Sequence, residues 1–281
     1  MRLSLKCENL QKTGSFKPRG ALNKVLGLPD SARRRGVVTV SAGNHAQALA
    51  WAARTANVSA TVVMPAQASQ AKAEASAAYG AEVIRHGSTF EAFERAQALA
   101  SERGLVLVHP FDDEEIMAGA GTAGLEILEQ AAAVDVIVVP IGGGGLIGGI
   151  AAAVKARQPE VRVFGVEPHG AAAMRASLDA GRALRLESVS TIADGLAAPM
   201  AGTLNYDVVR RYVDDVVLVS DDEIASAVGA LLSRTKLLAE PAGAAAVAAI
   251  LSGKLPLRGG EHVVAVVSGG NVDLARLKEM L

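Results

Sequence analysis

The chain has 281 residues, enough for one or two domains with a sizeable core, and sets 28 Lys and Arg against 29 Asp and Glu for a formal charge of −1. That balance, with no long basic or acidic block, leaves no electrostatic footprint for nucleic acid or an anionic membrane. The single cysteine, Cys7, supports neither an intrachain disulfide nor a cysteine-based metal cluster, and a reducing cytosol is the simplest compartment.

In chain order, the opening MRLSLKCENL has a basic residue but no apolar run of signal-peptide type. Thr13-Gly14-Ser15-Phe16-Lys17-Pro18-Arg19-Gly20-Ala21 follows. Pro18 suits the first turn of a helix, which puts Lys17 at a helix N-terminus. The positive dipole end there disfavours a charged amine and favours the neutral form that makes Schiff bases. A surface lysine beside a helix start is the commoner arrangement when this segment is taken alone. Arg33-Arg34-Arg35 reads as a solvated helix end.

A strand is predicted at Val37–Ser41, and Ser41-Ala42-Gly43-Asn44-His45 leads from it into a helix over His45–Ala56, with Asn44 as N-cap. Free N–H groups at such a terminus suit a carboxylate, although an ordinary cap has the same sequence. His45 has no Cys, His or carboxylate at metal-binding spacing. Strands at Thr61–Met64, Glu82–Arg85 and Leu105–His109 then alternate with helices over Gln70–Tyr79, Thr89–Glu102 and Glu114–Gln130.

Val136 to Val154 carries no charge and is as long as a membrane span, but Pro140 and six glycines interrupt it. It reads better as a buried parallel strand (Val136–Pro140), the loop Gly142-Gly143-Gly144-Gly145-Leu146 and a helix over Leu146–Arg157. Four successive glycines let the backbone wrap a phosphate. No Gly-Lys-Ser/Thr follows, so this is not a Walker A loop. Gly143, Gly145 and Gly148 do fit G-x-G-x-x-G, with Glu167 after a strand at Arg162–Val166, so a dinucleotide site competes. Strands at Val216–Val219 and His262–Ser268 and helices over Asp222–Ala239 and Ala242–Leu251 complete the pattern. Ser268-Gly269-Gly270-Asn271 follows the last strand, where a hydroxyl can meet a ligand's ring nitrogen or simply belong to a turn. The alternation predicts an α/β fold with parallel sheet, whose ligands lie beyond the carboxyl ends of the strands.

Together with Lys6-Cys7-Glu8-Asn9-Leu10-Gln11, His109-Pro110-Phe111-Asp112-Asp113, Gly165-Val166-Glu167, Ala193-Asp194-Gly195 and Glu240-Pro241, these segments resemble the fold type II, tryptophan-synthase-β-like pyridoxal 5'-phosphate (PLP) enzymes. Within them the chain is most similar to the threonine dehydratase and serine racemase branch. The resemblance implies two open, twisted parallel-sheet domains with the PLP cleft between them. It makes residues 36–111 a small inserted domain, and 1–35 plus 112–281 the large PLP-binding domain, with no C-terminal regulatory domain. It gives Lys17 the cofactor as a Schiff base and places Phe16 beside the ring. Gly142, Gly143, Gly144, Gly145 and Leu146 would hold the phosphate, Asn44 the phenolic oxygen and Ser268 the pyridine nitrogen. Gly195 and Glu240 would lie near the cofactor, and Ser41, Ala42, Gly43, Asn44 and His45 would hold the substrate carboxylate. A homodimer in the cytoplasm, acting on a small amino acid, is implied in the same way.

A neutral serine at the pyridine nitrogen makes the ring a mild electron sink, which favours prompt loss of a β-substituent. Serine racemases of this branch place a serine where this chain has Ala42, and alanine cannot exchange a proton. The expected reaction is therefore dehydration of L-threonine to 2-oxobutanoate and ammonia, and of L-serine to pyruvate. A serine racemase, a 3-hydroxyaspartate dehydratase and a weak or inactive PLP-binding relative are the alternatives. Relatives carry a further segment before Lys6, which bears on activity. Relatives with a divalent cation use a Glu-Pro followed by an acidic residue. Here Glu167-Pro168 precedes Ala171 and Ala173, so no metal is expected, with Glu167 as a weak candidate ligand. Ala120 stands where glutamine is usual.

Overall fold

A computed structural model describes residues 1–280. The strands are β1 (Arg2–Cys7), β2 (Val37–Val40), β3 (Ala60–Met64), β4 (Glu82–Arg85), β5 (Val106–Leu107), β6 (Val136–Pro140), β7 (Arg162–Pro168), β8 (Asp215–Val219) and β9 (His262–Val267). The helices are α1 (Lys17–Gly27), α2 (Asp30–Arg35), α3 (Asn44–Thr55), α4 (Gln70–Ala78), α5 (Thr89–Arg103) and α6 (Glu114–Gln130). They continue with α7 (Gly145–Arg157), α8 (Ala173–Ala180), α9 (Thr203–Tyr212), α10 (Asp221–Ala230), α11 (Pro241–Leu251) and α12 (Leu274–Met280).

Contacts divide the chain into two compact units, Met1–Phe16 with Ala120–Leu281, and Lys17–Gly119. The first holds a five-stranded sheet in the order β1-β9-β6-β7-β8, parallel at every pairing. β6 and β9 are buried at every position, so they read as continuous apolar runs rather than alternating ones. The alanines and glycine of α11 let that helix lie deep in the core, against α10, β9 and β6. The uncharged stretch from Val136 to Val154 is divided between β6, the glycine loop and α7. No helix among the described residues is long and apolar enough to cross a membrane.

The second unit holds a parallel sheet in the order β4-β3-β2-β5. Ala92, Ala96 and Leu99 recur on one face of α5 and close over Val38 and Val63. Burying a side chain such as Leu99 contributes about 1.5–3 kcal/mol. A capping box at Ser88 and Glu91 starts α5, and Gly104 in the left-handed region ends it. α1 packs along α3. The expected segment 36–111 falls inside this unit, and that packing joins α1 to it.

Three expectations change. β1 was not predicted: its apolar residues alternate with Arg, Ser and Lys, as suits an edge strand, and its pairing partner β9 lies at the far end of the sequence. The helix expected over Asp222–Ala239 ends as α10 at Ala230, passes through a π-helical turn over Leu231–Thr235 and stops at Lys236, whose φ is +63°. Finally, α3 begins at Asn44, so the N-cap is Gly43 and not Asn44.

Candidate active site

In the unit of residues 17–119, Lys17 is the first residue of α1 and half-buried. Its Nζ donates to the Pro110 carbonyl at 2.8 Å. Pro110 is held in a turn whose pivot is His109. The His109 Nδ1 accepts the Asp112 N–H at 2.8 Å and the Phe111 N–H at 3.3 Å, which leaves the ring proton on Nε2. Thr39 on β2 donates to the neighbouring Val108 carbonyl at 2.7 Å. Ser41, Ala42 and Gly43 form the bend between β2 and α3, where the Gly43 N–H donates to Ser41 Oγ at 3.1 Å. This turn aligns the first N–H groups of α3, which have no helical carbonyl before them.

His45, in the first turn of α3, is 3 % exposed. Neither ring nitrogen has a hydrogen-bond partner of good geometry among the described residues. Burial holds its pKa well below the ordinary 6.5, and the Lys17 charge and then His109 push it the same way. Burial likewise lowers His109, against the opposing pull of Asp112. His45 is therefore neutral at physiological pH. As pH falls below 6.5 the unfolded chain takes up a proton that the folded chain refuses, so stability is lost from 6.5 down to the folded-state pKa. In an NMR titration the His45 ring resonances are expected to hold their shifts from about pH 8 down past 6.5. A midpoint at or above 6.5 would contradict this burial.

In the other unit, Gly142–Gly144 leave the end of β6 and α7 starts at Gly145. Gly144 has φ +99°, in the left-handed region that a side chain disfavours. A Cβ there would lie 2.7 Å from Met174 Cε and 2.9 Å from Asn205 Cβ. The loop is thus pressed onto α8 and α9, and it leads into the N-terminus of α7, whose first N–H groups have no helical carbonyl before them. Gly142 meets the Ala193–Gly195 turn: a Cβ at Gly142 would lie 3.1 Å from the Gly195 oxygen. Arg276 anchors that turn, pairing with Asp194 and donating to the Ile192 carbonyl at 2.8 Å. Gly195 in turn approaches Glu240, the residue before α11, with 3.8 Å between a Cβ placed there and Glu240 Oε1. The Glu240 N–H donates to the Gly269 carbonyl at 3.1 Å. Buried Ser268, just past β9, donates to the Ala242 carbonyl at 3.5 Å, and its own carbonyl accepts the Phe16 N–H at 3.0 Å. Gly142, Gly195, Glu240, the Ser268-Gly269 turn and Phe16 are therefore successive neighbours within one unit around the strand ends.

Glu167 is fully buried. Its Oε1 accepts the Met174 N–H and its Oε2 the Arg175 N–H, each at 2.8 Å. Both oxygens are engaged by the N-terminal turn of α8. Burial pushes its pKa up to about 7 against those two bonds. A carboxylate so occupied is poorly placed to grip a ribose, which removes the acidic partner that the G-x-G-x-x-G reading needs. Among the described residues, no cluster of three or more His, Cys, Asp or Glu could hold a metal ion.

Sequence reasoning missed the Pro110 carbonyl that Lys17 meets, the His109 pivot behind it, and Asn205. His109 and Pro110 stand in the segment His109-Pro110-Phe111-Asp112-Asp113, but nothing local ties them to Lys17. Asn205 lies in a helix that the sequence reading did not predict, and its Nδ2 donates to the Gly143 carbonyl at 2.9 Å.

The family described as "Pyridoxal-phosphate dependent enzyme" matches residues 1–269. A Thermotoga maritima protein named L-threonine ammonia-lyase is 48% identical over 278 residues, covering 99% of this chain and 69% of its own. The processed form of threonine deaminase isoform 2 from Solanum lycopersicum superposes with a TM-score of 0.94 at 36% identity, covering 99% of this chain and 77% of its own. Maize serine racemase gives a TM-score of 0.94 at 41% identity, with 99% and 85% covered.

Proposed function

Because the chain belongs to the pyridoxal-phosphate-dependent enzyme family, we propose that it is an L-threonine ammonia-lyase that also accepts L-serine. The observation that carries this reading is its identity, across nearly its whole length, to a protein named for that reaction. The features that fit the cofactor are an amine at the head of α1, a loop at α7 with no room for a Cβ at Gly144, and a buried hydroxyl at Ser268. On this reading Lys17 bonds the cofactor, and Gly142–Gly145 with Leu146 take its phosphate on the first N–H groups of α7. Ser268 meets the pyridine nitrogen and Asn44 the phenolic oxygen, with Phe16, Gly195 and Glu240 lining the ring. The chemistry that PLP supplies when bound is electron withdrawal from the α-carbon, which acidifies the α-proton.

The chain's own groups do the rest. Ser41, Ala42, Gly43, Asn44 and His45 hold the substrate carboxylate. A neutral His45 offers no charge for it, so the backbone N–H groups and dipole of α3 supply the attraction. Lys17 Nζ, free once the substrate's amine has replaced it on the cofactor, would take the α-proton as a general base. The Cβ–O bond breaks as the Cα=Cβ bond forms, and the hydroxyl leaves as water; the proton it gains balances the one removed from Cα. Hydrolysis of the released product returns one water, so L-threonine gives 2-oxobutanoate and ammonium. The proposal carries with it the homodimer and cytoplasmic location that the resemblance implies, and the division into an inserted domain, 36–111, and a larger one.

Likeness to a serine racemase favours a second reading, which Ala42 opposes because its side chain has no exchangeable proton. One assay separates them. Purified protein with saturating PLP is expected to form 2-oxobutanoate from L-threonine and pyruvate from L-serine, with no D-serine. One methyl distinguishes the two substrates, so their kcat/KM values should differ by about 10–200-fold at most. D-serine in excess of pyruvate would transfer the assignment to the racemase.

A further inference from the structure

The glycine loop needs more than glycines. Four flexible residues confer no fixed direction on their N–H groups, so something must hold the peptide planes. One plane is held from behind. The Gly143 carbonyl accepts two hydrogen bonds, from the Gly202 N–H at 3.1 Å and from Asn205 Nδ2 at 2.9 Å. Gly202 is the N-cap of α9, and Asn205 lies in its first turn, completely buried. No cis peptide occurs among the described residues, so the Gly144 N–H points opposite to the Gly143 carbonyl. Two donors on the α9 side therefore turn that N–H away from α9. Asn205 also backs the loop sterically, since its Cβ limits the space at Gly144.

We infer that Asn205 is a positioning residue for the cofactor phosphate: it grips the Gly143 carbonyl and so fixes the Gly144 N–H among the groups offered to the anion. This rests on the reading of Gly142–Gly145 as the phosphate site. A residue that merely stabilised the fold would affect all ligands of the pocket alike, whereas one that orients the Gly144 N–H affects the phosphate-bearing ligand most.

The test compares PLP with pyridoxal, which lacks the phosphate. Full-length apoprotein is titrated with each, and binding is followed by absorbance, for the parent, Asn205→Ala and Asn205→Asp. The aspartate keeps the shape but sets an oxygen against the carbonyl. The Kd for PLP is expected to rise about tenfold or more in both variants, while that for pyridoxal changes less than about twofold. Equal changes for the two ligands, or no change for either, would overturn the inference. If both variants fail to fold, Gly202→Pro decides: it removes the second donor to the same oxygen, at a φ of −62° that proline accepts. It is expected to lower the preference for PLP over pyridoxal, and an unchanged preference would overturn the inference. A parent with no preference for PLP would instead refute the phosphate-loop reading itself, a result distinct from a parent that prefers PLP and variants that share its preference.

Discussion

Replacing Lys17 with alanine is expected to lower 2-oxobutanoate formation from L-threonine by about 10³-fold or more, with the folded structure intact. The amine has two tasks on the proposed reading, bonding the cofactor and taking the α-proton, and loss of a general base alone costs about 10²–10⁴-fold. Stability should change little, because the side chain is half-buried and its hydrogen bond to the Pro110 carbonyl is modest on balance. Lys17→Arg sharpens the test. Arginine keeps the positive charge and a donor for Pro110, but it forms no Schiff base and is not deprotonated at neutral pH. Both variants should lose the visible absorbance of the lysine-bound cofactor. An arginine variant retaining a tenth of parental activity would remove Lys17 from the chemistry.

Gly144→Val is expected to cost both stability and cofactor. The backbone there sits at φ +99°, outside the range of a β-branched residue. The first carbon added would lie 2.7 Å from Met174 Cε and 2.9 Å from Asn205 Cβ. Met174 is fully buried, and its N–H is held by Glu167, so α8 has little freedom to retreat. Backbone strain costs about 1–3 kcal/mol and overpacking a similar amount. The apoprotein is therefore expected to melt about 5–10 °C lower. Its Kd for PLP should rise about 100-fold or more, because the loop N–H groups lose their alignment. A parental melting temperature together with parental PLP affinity would mean that the loop is not braced by α8 and α9.

Much of this was legible in the sequence because it is local. Parallel strands buried on both faces are short apolar runs, and β6 and β9 were recognisable as such. β1 was not, since an edge strand alternates. The sequence carries no stop signal for α10, because Lys236, which ends the helical course, takes a left-handed conformation that only glycine or asparagine would have advertised. Asn44 was an apt cap by residue type, yet the bend set by Ser41 moved the cap to Gly43.

By itself the sequence determined the parallel α/β class, the lysine at a helix head, and the glycine loop between a strand and a helix. Backbone preference and hydrophobic run length act over a few residues, so these features need no knowledge of distant chain. Only the tertiary structure decided what each meets. Lys17 bonds a carbonyl 93 positions away, and Asn205 holds one 62 positions before it. Glu167 spends both oxygens on the start of α8 rather than on a ligand. Such partners are chosen by the path of the chain and by the requirement that buried polar groups be paired, neither of which leaves a local trace.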